Sequence, residues 1–375
     1  MVVFLCTLFL AGCWDRREIN DIAIVLTSAI DKEPNGYRIS VLFPLPGNLG
    51  GPAGGGGGSG GQKPFAIDTE VGKTLTEATS KLQTRLSRQL YFAHRRVVLL
   101  GEEFARSDLS NMFDGIARQP ESRMTAFIAI TKGKAYELMN APTRIERFSV
   151  EEIRELVQSN ATLQTRLKDV FNKVNTQGVD VYYPYFEVVD PPLKKASSSH
   201  IQASGFAISH NQKMVGVLKD KDALGLRMLA DKFRPYAEIV QVDNKRVAVE
   251  ISHAQKSIKP VLVGKDIRFD ITVKAEATVV ESNLKKDLGN PANLSKIEEA
   301  IEKNIRSQME QTIRILQQKK SDAVGFGQSV YRTYPDRWNS GLKISWYDVY
   351  PTCTFQIKVQ CQINRMGMLR QNVLK

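Results

Sequence analysis

Apolar and polar positions repeat along this chain with two periods, and each period predicts an element. Residues 22–30 (IAIVLTSAI) and 37–42 (YRISVL) are apolar and β-rich, and Pro34-Asn35-Gly36 lies between them. An Asn-Gly pair flanked by such runs predicts a tight hairpin. Thr74-Leu75-Thr76-Glu77 has the spacing of a capping box, in which a hydroxyl and a carboxylate satisfy free amides at a helix start. It opens a helix whose apolar face is Leu75, Ala78, Leu82, Leu86 and Leu90. A buried strand at 97–100, a helix over 102–117 and a strand at 125–131 (TAFIAIT) follow, then helices near 150–158 and 163–174. Strand, helix, strand, helix, strand predicts a mixed α/β layer.

The second half has a different rhythm. A hairpin is predicted from 205–209 and 214–218 around His210-Asn211-Gln212, then strands at 246–252, 261–263, 267–273 and 275–280. Residues 294–318 place Leu294, Ile297, Ile301, Ile305, Met309, Ile313 and Leu316 on one face of a long helix, with Lys, Glu, Arg and Gln elsewhere. The spacing predicts a helix packed on a sheet. Strands at 344–349 and 353–363 close the region. In the last, Cys353, Phe355, Ile357, Val359, Cys361 and Ile363 alternate with polar residues, so both thiols face the core. Eight residues of strand set them roughly 26 Å apart, too far for a disulfide.

The predicted fold class is α+β, with two to three domains of mixed sheets and packed helices, the last an antiparallel sheet carrying one long helix. The expected divisions are 13–190, as one domain or two subdomains, a linker at 191–204 that includes Pro191-Pro192 and 194–199, and 205–375. Residues 47–61 (GNLGGPAGGGGGSGG) form a low-complexity surface loop. Their matches to glycine-pattern motifs follow from composition and lack a strand-turn-helix context.

The first twelve residues, MVVFLCTLFLAG, carry no charge. As a helix they would span about 18 Å, short of the roughly 30 Å hydrocarbon core, so a secretory signal fits better than a membrane span. The predicted signal peptide is 1–12, ending in the lipobox Leu10-Ala11-Gly12-Cys13. Cys13 is the expected lipidation site: its thiol takes diacylglycerol, the peptidase cuts before it, and the new amino terminus is open to acylation. Two or more lipid chains anchor stably where one does not. Polarity changes abruptly at Trp14-Asp15-Arg16-Arg17-Glu18, as at the start of a mature chain. No Lys or Arg precedes the apolar run, which departs from the usual leader and predicts a true start a few codons upstream.

The formal charge of +12 favours an anionic surface. For a lipid-anchored protein the nearest is its own membrane, where each basic residue close by adds about 1 kcal/mol. Basic residues are scattered among acids, with no basic tract or aromatic interleaving, so nucleic acid is not an expected partner. His94, His200, His210 and His253 stand in no metal-ligand spacing, and no cofactor or metal is expected. His94 and Glu102–Glu103 flank the 97–100 strand and should sit at its opposite ends. With no nucleophile-base pair, no catalytic residues are assigned and the chain is not expected to be an enzyme.

Gly12-Cys13-Trp14-Asp15, then Glu18-Ile19-Asn20-Asp21 leading into Ile22-Ala23-Ile24-Val25, resembles the start of the Ger(x)C lipoproteins, the C subunits of bacterial spore germinant receptors. The resemblance continues through Leu75-Thr76-Glu77-Ala78, His94-Arg95-Arg96-Val97, Gly101-Glu102-Glu103 and Gly205-Phe206-Ala207. It ends with Asp322-Ala323-Val324-Gly325-Phe326-Gly327, Tyr331-Arg332, Pro335 and Trp338. It implies a three-domain α+β lipoprotein of the inner spore membrane, facing the outer compartment and without enzymatic activity. Its partners would be two integral-membrane subunits, one transporter-like, in nutrient sensing. Cys13 carries over as the lipid site; Trp14 and Asp15 match the motif without an assigned role. The alternative class is a lipid-anchored extracytoplasmic solute-binding protein, which needs two parallel-sheet lobes around a polar cleft and would bind ligand alone.

Overall fold

The computed structural model describes residues 18–45, 63–143, 145–190, 199–284, 287–288 and 290–365. A single turn at Ile19–Asp21 leads into β1 (Ile22–Ile24), which breaks at Val25-Leu26 before β2 (Thr27–Glu33). The expected hairpin then forms: β2 pairs antiparallel with β3 (Gly36–Pro44), closing at Glu33 opposite Gly36. β4 (Phe65–Gly72), β5 (Gln89–Tyr91), β6 (Val97–Gly101), β7 (Phe127–Thr131), β8 (Tyr182–Val189), β9 (His200–His210) and β10 (Lys213–Leu218) follow. Eight of these ten strands make one sheet in the order β10-β9-β8-β7-β6-β2-β3-β4, while β1 and β5 form a separate parallel pair.

The centre of the large sheet, β2-β6-β7-β8, is parallel and its edges are antiparallel. All of Val97–Gly101 and Phe127–Thr131 is buried, as a parallel strand covered on both faces must be. Val98, Leu100, Ile128 and Ile130 pack on one side with Met112, Phe113, Leu167 and Val170. Val97, Leu99 and Ala129 pack on the other with Leu138, Val150 and Ile153.

The second sheet has the order β11-β12-β13-β14: β11 (Tyr236–Val242), β12 (Lys245–Val263), β13 (Asp266–Ser282) and β14 (Thr354–Arg365). The first three are antiparallel. β14 runs parallel to β13, because the chain crosses over through the long helix Pro291–Gln318 before returning. Ile297, Ile301, Ile305, Met309, Ile313 and Leu316 of that helix are buried against Val249, Ile251, Phe269, Ile271 and Val273.

Several elements differ from the sequence expectation. The helix capped by Thr74 ends at Gln83, so Leu86 and Leu90 lie beyond it. Leu90 instead reaches the core shared with Leu82 from β5. The expected helix 102–117 is two, Glu102–Ala105 and Ser110–Arg118, because Asp108 accepts from both the N–H and the hydroxyl of Ser110 and restarts the chain. The strands predicted at 246–252 and 261–263 are one, as are those at 267–273 and 275–280. Residues 344–349 are helical (Lys343–Val349), not a strand: Trp346 is buried while Ile344 is 93% exposed.

The expected linker also has an unexpected setting. Residues 191–198 lie outside the described residues, but β8 before them and β9 after them are antiparallel neighbours in one sheet. The β9–β10 hairpin, turned at Asn211-Gln212 with positive φ at both, adds to the first sheet. Its two faces serve different cores: Ala207 and Met214 pack with the first, Phe206, Ile208 and Leu218 with the second. The glycine-rich stretch 47–61 falls outside the described residues.

Candidate functional site: a buried carboxylate where the two halves join

After the long helix the chain turns sharply through Lys320 (φ 51°) and Gly325 (φ 88°) into the helix Phe326–Thr333. That turn folds Asp322 back over the helix start. Its Oδ1 accepts from the N–H groups of Gly325 and Phe326, both at 2.8 Å, and its Oδ2 from the N–H of Gly327 at 2.7 Å. Free amides at a helix start present partial positive charge, so a carboxylate suits them. The indole Nε1 of Trp346 adds a fourth donor to Oδ2, at 3.0 Å.

The first half of the chain meets this turn directly. The Asp322 N–H donates to Oδ2 of Asp180 at 2.9 Å, and the Asp180 N–H donates to the Asp322 carbonyl at 2.8 Å. Gln328 N–H donates to the Gly178 carbonyl, Trp338 Nε1 to Gln177 Oε1 at 2.7 Å, and the Ser321 hydroxyl to the Ser209 carbonyl at 2.6 Å. Backbones approach so closely here that a Cβ on Gly327 would lie 2.6 Å from Trp346 Nε1, and one on Gly178 would lie 2.6 Å from the Gly327 carbonyl carbon. The His210 ring sits edge-on to Tyr347, centroids 4.3 Å apart, with its Nδ1 3.5 Å from Asp180 Oδ2.

Electrostatics follow from the enclosure. Asp322 is 0% exposed, and burial raises its carboxyl to about 7; the Gly327 and Phe326 amides pull the other way, and the nearby Asp180 charge adds to the rise. Burial likewise pushes the Tyr350 and Tyr347 hydroxyls up. A carboxylate so enclosed, with both oxygens occupied by N–H donors, has no access to a substrate. It holds a turn and an indole in place, and the contacts around it pin residues 177–180 and 209–210 to residues 321–328 and 338–347.

The sequence-predicted site residues Leu10, Ala11, Gly12, Cys13, Trp14 and Asp15 all lie outside the described residues. His94 is exposed and packs on Tyr91, centroids 5.8 Å apart. Glu102, across β6, accepts from the Tyr185 hydroxyl at 2.6 Å and from Arg106. The structure therefore gives His94 and Glu102 different partners. Cys353 and Cys361 are free thiols, both pushed up to about 12 by burial. Among the described residues no helix is long and apolar enough to cross a membrane, and no cluster of metal-ligating side chains occurs.

Of the join, the sequence resemblance singled out Asp322, Gly325, Phe326, Gly327 and Trp338. It missed Gln177, Gly178, Asp180, Trp346 and Tyr347. The motif's partners lie far off in sequence: 142 residues separate Asp180 from Asp322. The small-residue turn Ser321–Gly327 was the only local signal.

This α+β body matches spore germination proteins both in sequence and in fold. Residues 15–188 match the model of the spore germination protein N-terminal domain, and 204–367 that of the spore germination B3/GerAC-like C-terminal domain. The chain belongs to this GerAC-like family of spore germination proteins. Putative spore germination protein YfkR of Bacillus subtilis is 30% identical over 98% of this chain and 96% of its own length. Spore germination protein KC of the same organism is 26% identical over 100% and 97%. The crystal structure of the GerBC protein superposes with a TM-score of 0.60, covering 90% of this chain and 96% of that one at 18% identity, which shows the shared fold.

Proposed function

We propose that this protein is the lipid-anchored subunit of a nutrient germinant receptor. Diacylglycerol on Cys13 holds it to the outer face of the inner spore membrane, where it works with two integral-membrane subunits, one of them transporter-like. It carries out no catalysis. The observation that supports this reading best is the match to spore germination proteins over both halves of the chain, 15–188 and 204–367. The join supports a non-enzymatic role, because its ionisable groups are spent on internal contacts rather than turned to a cleft. The net charge of +12 suits a body held close to anionic lipid. The alternative solute-binding class gains nothing from the second sheet, which is mainly antiparallel and covered by one long helix.

The test is Cys13→Ala, expressed without the partner subunits. The variant is expected to fold normally and to leave the membrane fraction, because anchor and core are separate. Retention in membranes would refute the lipid anchor. In spores, the same change is expected to weaken nutrient-triggered germination, read as loss of absorbance. Full germination by spores lacking the gene would refute the receptor role.

A further inference from the structure

A cavity of about 390 Å³ opens between the helices Leu75–Gln83 and Ser110–Arg118, over β2 and β3. Its apolar lining includes Ile30, Ile39, Phe104, Met112 and Ile116, and Thr74, Thr79 and Asn111 supply polar groups. Volumes of this order hold small organic ligands, and an apolar body with few polar groups is the usual make-up. Arg95 lines the same space although it is only 4% exposed.

The guanidinium is held by little. Nη1 donates to the Ser28 hydroxyl at a long 3.3 Å, and the group lies 5.6 Å from the Phe92 ring centroid. Among the described residues Nε and Nη2 have no hydrogen-bond partner. Burial pulls its pKa down to about 10, and among the described residues no carboxylate acts to raise it. Asp108, the one acid in the lining, is already engaged by Ser110. An enclosed charge left without a counter-ion costs several kcal/mol, which a bound anion would offset. A guanidinium pairs with a carboxylate through short, charge-assisted hydrogen bonds.

We propose that this cavity is a binding site for a small monocarboxylate with an apolar body, whose carboxylate pairs with Arg95 while its chain lies on Ile30, Ile39 and Met112. The site lies within the first sheet's layer and is independent of the receptor-subunit reading. It does not make the protein a solute-binding protein of the two-lobed kind, whose ligand sits between lobes.

The test is calorimetric titration of the full lipid-free chain with hexanoate and 4-phenylbutanoate, against hexanamide and inorganic phosphate. The carboxylates are expected to bind at least about tenfold more tightly than the amide, with phosphate not binding. Arg95→Met should lose that preference while melting at the same temperature or higher, because it removes an uncompensated charge. Gly115→Met is the second variant: Gly115 lines the cavity and a Cβ there meets nothing within 4 Å, so a longer side chain has room to enter the space from the helix Ser110–Arg118. It should abolish binding, with a melting temperature that shows the fold is kept. Equal binding of acid and amide, binding of phosphate alone, no binding at all, or unchanged binding by a folded Gly115→Met would each overturn the proposal.

Discussion

Replacing Asp322 by asparagine keeps the shape of the side chain and removes its charge. An amide nitrogen cannot accept a hydrogen bond. Whichever way it faces, two of the four donors lose their acceptor: Gly325 and Phe326, or Gly327 and Trp346. At about 1–3 kcal/mol for each buried unsatisfied group, the loss is roughly 2–6 kcal/mol. The native carboxylate, however, carries its own penalty. Its rise from 3.8 to about 7 corresponds to on the order of 4 kcal/mol of disfavoured charge at 1.36 kcal/mol per pKa unit. The two terms are similar in size, so stability at a single pH does not discriminate between them. The dependence on pH does. Between 3.8 and about 7 the folded state holds a proton that the unfolded state has lost, so native stability falls as pH rises through that window. From pH 5.5 to 8 this group should cost the native protein about 2 kcal/mol, and Asp322→Asn should lack that decline. Urea unfolding of both proteins at the two pH values, followed by the fluorescence of Trp338 and Trp346 beside the site, measures the difference. Parallel pH profiles would refute the account of Asp322 as a buried, proton-linked group.

Other expectations rest on packing. Ile305→Asp puts a charge on the fully buried stripe of the long helix and should unfold the second sheet's core, whereas Ile305→Ala should cost about 2–5 kcal/mol; circular dichroism during denaturation distinguishes them. Gly327→Ala brings a methyl within 2.6 Å of the Trp346 indole and should lower stability by about 1–3 kcal/mol, read as a drop in Tm. In a protein carrying Cys6→Ala and Cys13→Ala, Cys353 and Cys361 should resist thiol reagents at pH 8 until the chain unfolds, since both thiols are pushed up to about 12; rapid labelling of the native protein would contradict this.

Parts of this fold are legible locally and parts are not. The long helix is legible because Ile297, Ile301, Ile305, Met309, Ile313 and Leu316 keep helical spacing and all are buried. The β2–β3 hairpin is legible because its turn residues and flanking runs agree. β11 is not, because its polarity is inverted: Glu238 faces inward, accepting from Asn304 and Gln308 of the long helix at 2.8 Å, while Ile239 is 61% exposed. Residues 344–349 mislead in the opposite sense, since Ile344 and Trp346 alternate like a strand although only Trp346 packs. Beyond Asp322–Gly327 and Trp338 the join could not be read, because Gln177, Gly178 and Asp180 acquire their meaning only when distant segments meet. The Arg95 cavity is likewise invisible in sequence, being space between two helices that packing leaves open.

The β9–β10 hairpin limits how this protein can be taken apart. A fragment ending near residue 190 would leave β8 as a bare edge, a row of unpaired amides and carbonyls that invites aggregation. A fragment beginning near 199 would keep the hairpin but expose Ala207 and Met214, whose neighbours belong to the other piece. Proteolysis within 191–198 alone would be expected to yield a nicked but associated pair, because the two products remain stitched through one sheet. For expression work, the natural unit is therefore the whole body, and the point where the two family matches meet in sequence is a poor place to cut.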